Sequence, residues 1–172
     1  MTGIMAAIAG GTQNIIYAAG LYNTTTGVDQ SPINGSVNNS NPGTSVTRDY
    51  TWIGYFTPAS TATVSLSLQT TATAGDFNDD ASTTGRLWLG ATAQSGFTDG
   101  NANITATDNQ TVSASFPMTL GVRYAIRIQW VGSYTVGGGF FSDSASGSLT
   151  FLASGSSNVT NRIFYNSITN GF

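Results

Sequence analysis

Val122-Arg123-Tyr124-Ala125-Ile126-Arg127-Ile128-Gln129-Trp130 is the stretch that decides the fold. Val122, Tyr124, Ile126, Ile128 and Trp130 share one face, opposite Arg123, Arg127 and Gln129. A period of two residues is the signature of a half-buried strand, in which successive side chains point to opposite sides. The same period recurs on both sides of this stretch. Val112, Ala114 and Phe116 alternate with Ser113 and Ser115, and Val64, Leu66 and Leu68 alternate with Ser65, Ser67 and Gln69. Tyr50, Trp52, Gly54 and Phe56 fall on one face, Ile53 and Tyr55 on the other, and Pro58 ends that strand or marks an edge. Arg86 to Gly90 is a short strand carrying Leu87, Trp88 and Leu89, and Leu149 to Leu152 and Ile163 to Tyr165 complete the set.

No stretch of the body keeps a helical period, and Gly, Ser, Thr and Asn separate the strands. The expected fold is therefore all-β, a two-sheet antiparallel β-sandwich, with Trp52, Leu66, Leu87, Ile126, Ile128 and Phe151 buried between the sheets. Trp52, Trp88 and Trp130 all lie in strands and read as core. Residues 23 to 47 read as loop, with Pro32 and Pro42 and at most a weak strand near Ile33 or Val37. Residues 1 to 20 are an apolar unit of Ala, Gly, Ile and Met in which Ile4, Met5 and Ile8 form one face of a short helix. The chain thus divides into an N-terminal arm or docking segment, 1–20, and one β-sandwich domain, 21–172. Met1 to Ala9 has no Lys or Arg and is broken at Gly10-Gly11. That argues against a secretory signal, and the segment is too short for a membrane span.

Composition narrows the function. Hydrophobic residues make up 40% of the 172 residues and charged residues only 8%, against about 25% charged in ordinary domains. His, Cys, Lys and Glu are absent. Ser-His-Asp and cysteine nucleophiles, a Schiff-base lysine, Cys/His zinc sites and a phosphate-binding Lys loop are all excluded. The expectation is that the protein is not an enzyme. Five Arg against eight Asp leave no basic footprint for nucleic acid. A surface of Ser, Thr, Asn and Gly loses little on desolvation and suits burial against neighbours.

One cluster carries chemistry. Within Gly75-Asp76-Phe77-Asn78-Asp79-Asp80, Asp79 and Asp80 are the candidate metal ligands, with Asp76 and Asn78 as weaker ones. Hard cations take several oxygen ligands, so calcium is the natural candidate. Asp76, Asn78 and Asp80 match the opening of an EF-hand loop, but Ala81 stands where Gly is needed and Leu87 where Glu is needed. An EF-hand is excluded. The competing reading is a solvated acidic turn between strands.

Trp52-Ile53-Gly54-Tyr55-Phe56, then Asp79-Asp80, then Arg86-Leu87-Trp88-Leu89-Gly90, then Arg123-Tyr124-Ala125-Ile126-Arg127-Ile128-Gln129-Trp130 resembles the PA14/GLEYA-like β-sandwich, over residues 49 to 152. The resemblance implies a jelly-roll type of sandwich, in which Asp79 and Asp80 bind calcium and the calcium binds sugar hydroxyls. It further implies an oxygen ligand from a second loop after Trp130, around Gly137-Gly138-Gly139, which here offers Asp143 and backbone carbonyls. The uncharged start, and the close Phe164-Tyr165-Asn166-Ser167-Ile168-Thr169-Asn170-Gly171-Phe172, resemble small virion structural proteins of tailed phages, especially those of cyanobacteria. That resemblance implies a virion component: a tail, fibre or capsid-surface protein located in the virion. Its partners would be other virion proteins and copies of itself, with a host-surface glycan as a further one. One or both termini would contact another chain. The alternative is a calcium-dependent glycan-binding adhesin module.

Overall fold

The structure, a computed structural model, describes residues 15–16, 21–30, 33–56, 58, 60–138, 143–154 and 163–166. The apolar segment Met1 to Ala9 and the chain end after Asn166 lie outside the described residues, and with them the contacts expected there. The strands are β1 (Ile15–Ile16), β2 (Leu21–Asn23), β3 (Val28–Gln30), β4 (Asn34–Asn39), β5 (Thr44–Phe56) and β6 (Ala62–Ala74). They continue with β7 (Asp80–Leu89), β8 (Ile104–Thr107), β9 (Thr111–Met118), β10 (Tyr124–Val136), β11 (Ala145–Ser154) and β12 (Ile163–Asn166). A single helical turn, α1 (Ala91–Gln94), follows β7. Among the described residues no helix is long and apolar enough to cross a membrane.

Two antiparallel sheets pack face to face. The larger runs β1-β12-β5-β10-β7-β8, with β2 also on β5 and β3 on β2; the smaller runs β4-β11-β6-β9. β10, the strand read first, lies between β5 and β7. It begins at Tyr124 and runs on to Val136, so Val122 falls outside it, in a turn closed by its N–H on the Thr119 carbonyl at 3.1 Å. Ile126, Ile128, Trp130, Tyr134 and Val136 of β10 are buried, as are Trp52, Leu66, Leu87 and Phe151. Each Leu or Ile so buried contributes about 1.5–3 kcal/mol, and a one-residue slip of β10 would turn its buried side chains to the outer face, so they fix its register.

Several strands are longer than their apolar alternation announces, because glycines on the inner faces make room for large partners. A Cβ on Gly35 would lie 2.4 Å from the Trp130 ring, and one on Gly85 would lie 2.6 Å from a Leu149 methyl. Tyr134 lies over Gly132 and Gly147, where a Cβ would come within 2.3 Å and 2.4 Å of it. Its hydroxyl is 2.7 Å from Thr83 Oγ1, and the Thr83 hydroxyl in turn donates to the Thr71 carbonyl at 2.8 Å, so Thr83 joins the two sheets inside the core with the phenol bonded to it.

Two expectations are revised. Residues 23–47 hold more strand than expected: β4 stands where a weak strand was expected near Ile33 or Val37, β3 and the start of β5 join it between turns, and Ile33 and Val37 are buried. Their few apolar residues suffice because Asn23 and Asn39 satisfy the turns. Asn23 Oδ1 accepts from the Thr25 and Thr26 N–H groups, while Asn39 Nδ2 donates to the Thr44 and Tyr134 carbonyls. Trp88 is buried, but apart from the other two tryptophans. It sits on the outer face of the larger sheet in a small second core with Ala93 of α1 and Ala125, its indole N–H donating to the Thr98 carbonyl at 2.9 Å. Arg127, opposite Trp88 in the register, lies 3.8 Å from the Phe97 ring centroid. This cation–π contact helps to close the lid over Trp88.

Candidate metal centre

β6 crosses to β7 through residues 75–79, and β10 crosses to β11 through residues 137–144. The register puts both crossings at one end of the sandwich: Thr135 pairs with Asp80, and Ala145 pairs with Ala74. The acidic turn therefore lies beside the described residues of the second loop, 137–138 and 143–144. Gly137 lets them touch, since a Cβ there would lie 2.6 Å from the Asn78 carbonyl oxygen. Only a residue without a side chain admits that approach.

Asp79 is the fixed point. Its Oδ1 accepts the Gly137 N–H at 3.0 Å, and its Oδ2 accepts the N–H groups of Ser144 at 2.9 Å and Asp76 at 3.2 Å. Burial raises its pKa, but the N–H groups of Ser144, Gly137, Asp76 and Gly75 outweigh burial and hold the carboxyl below the ordinary aspartate value. The Gly75 N–H to Ser144 carbonyl bond, 2.7 Å, ties the loops together from the other side.

Around this anchor, ligand oxygens of Asp76, Asp79 and Asp143 all lie within 4.8 Å of one another. Asp76 uses Oδ1 to accept the Asn78 N–H at 2.8 Å. Asp76 Oδ2 and Asp143 Oδ1 are shielded from solvent and have no hydrogen-bond partner. The Arg86–Asp99 ion pair, 2.8 Å, lies toward the opposite end of β7 from these loops. Buried carboxylate oxygens without donors, held close to like charges, are unfavourable unless a proton or a cation joins them. The donor set is all oxygen, which suits a hard divalent ion such as calcium and not zinc or copper.

Of the residues singled out in the sequence, Asp76 and Asp79 are brought together. Asp80 is exposed as the first residue of β7, outside the group, and Asn78 is exposed and contributes its backbone to the Gly137 contact. Asp143 takes the place expected of Asp80. Its signal in the sequence was a lone Asp in the glycine-rich second loop. Phe77, at the tip of the acidic turn, is 89% exposed. No family model matches the chain, and no curated protein matches it either.

Proposed function

We propose that this chain is a non-catalytic structural module of a tailed-phage virion, a PA14-like jelly-roll sandwich that holds calcium at the end where its two crossing loops meet. The observation that carries the calcium part is the pair of buried, partnerless oxygens on Asp76 and Asp143 beside the anchored Asp79. Asp79 is committed to three backbone N–H groups, which suits a fixed anion and not a group that must give and take a proton. The role in a particle is supported by the weakly charged surface and by the resemblance of the chain's ends to virion proteins. Calcium would pin the loops to one another and leave Phe77 at the rim, where a host-surface glycan could be met.

The experiment is a calcium titration of the full chain, followed by calorimetry and thermal melting, with magnesium as the comparison. Saturable binding with a raised melting temperature supports the proposal. No heat and an unchanged melt would reduce the cluster to an acidic turn. The virion part is tested separately: proteins of purified particles should include this chain in many symmetric copies. Finding it instead as a secreted surface protein would favour the adhesin reading.

A further inference from the structure

The two outer faces of the sandwich differ in charge. Asp49, Arg86 and Arg127 lie on the larger sheet, whereas β4, β6, β9 and β11 contain no Asp, Glu, Lys or Arg. The outward positions of the smaller sheet line up in rows across the strands. Ser36, Ser148 and Thr71 form one row, Asn34, Thr150, Gln69 and Thr111 the next, and Leu152, Ser67 and Ser113 a third. Leu152 is 49% exposed and stands beside two serines bonded to each other, Ser113 Oγ to Ser67 Oγ at 3.0 Å. The face thus carries one apolar knob next to a hollow of small side chains.

We infer that this face is where a second copy of the chain docks, sheet against sheet, about a two-fold axis. It rests on the assembly part of the proposed function and not on calcium. A two-fold interface sets one patch against the same patch of the other copy, so no charge has to be matched or desolvated where the patch carries none; these four strands have none. The knob and the hollow are adjacent, so each Leu152 can enter the Ser67–Ser113 hollow of the other copy. Short hydroxyl side chains lose little rotamer freedom on burial and re-form hydrogen bonds across the contact. The size fits as well. Four strands about 4.8 Å apart, with about ten residues each, project on the order of 600 Å² before side-chain relief is counted, near the ~800 Å² per partner of a stable interface. The flanking strands β4 and β9 also lack the charged side chains that ordinarily keep sheet edges from pairing.

The test is sedimentation equilibrium of the full chain over a wide concentration range. The native chain should self-associate to a dimer. Leu152→Arg and Ser113→Arg should each weaken that association at least tenfold while keeping the native circular dichroism and melting temperature. Ser133→Arg, on the exposed face of the larger sheet, should leave it unchanged. A chain that stays monomeric at every concentration overturns the inference. So does a dimer weakened by Ser133→Arg and indifferent to both other variants; that result would move the contact to another face and leave the assembly reading standing. Absence of the chain from purified particles would instead remove the virion reading without touching the dimer.

Discussion

Asp143 carries the sharpest consequence at the scale of single residues. Its Oδ1 is buried without a donor, so Asp143→Asn removes a charge that the protein itself does not neutralise. The expected outcome is an unchanged or slightly higher melting temperature without calcium, and loss of most of the calcium-dependent rise. At calcium a hundredfold above Kd that rise is worth about 2.7 kcal/mol, or roughly 5–10 °C for a domain of this size; differential scanning calorimetry with and without chelator reads it. Asp79 answers to pH. Its pKa is lowered on folding, so its contribution is present above the ordinary aspartate range near pH ~4 and is lost as pH falls through the folded value. Asp79→Asn should lower the melting temperature at neutral pH and flatten the acid limb of the melting-temperature profile. Asp76 and Asp79 were legible because four of the five residues from Asp76 to Asp80 bear side-chain oxygen ligands. Asp143 is over sixty residues away, and only the shared end of the sheets brings it in. Asp80, singled out for its adjacency to Asp79, is the first residue of β7 and is exposed, outside this group.

Among the elements, β10 was readable because its inner positions are all large and apolar up to Trp130. Beyond it the inner positions become Gly132, Tyr134 and Val136, and the pattern fades although the strand continues. The same holds for the first half of β7, where Ala81, Thr83 and Gly85 face inward opposite bulky partners. Periodicity finds strands that bring their own bulk and misses those that receive it. The pairing of Tyr134 with Gly147 makes this testable. Tyr134→Phe loses one buried hydroxyl contact and should cost about 1 kcal/mol. Gly147→Val forces a side chain into the ring and against the Thr71 carbonyl, 2.7 Å from the Cβ position; it should cost about 3 kcal/mol. Urea unfolding of both variants gives the comparison, and equal costs would mean that the glycine slot does not hold the sheets together.

For the whole molecule, the partition of charge between the sheets bears on proteolysis. Trypsin cuts only after Lys or Arg, and this chain has no Lys and five Arg. Among the described residues, Arg48, Arg86 and Arg127 lie inside β5, β7 and β10, where the backbone is paired on both sides or bound into the ladder. Arg123 alone among them sits in a connection, exposed, between β9 and β10. A protease needs several residues of freed backbone, so cleavage in the strands waits for unfolding while a connection can open locally. Limited digestion should therefore nick the described part of the chain first after Arg123. β10 would remain held by its ladders to β5 and β7, so the pieces should still travel together in gel filtration and separate only in denaturant. The smaller sheet gives trypsin no place to begin, and a particle coated with this chain would present much of its surface to such digestion as if it were inert.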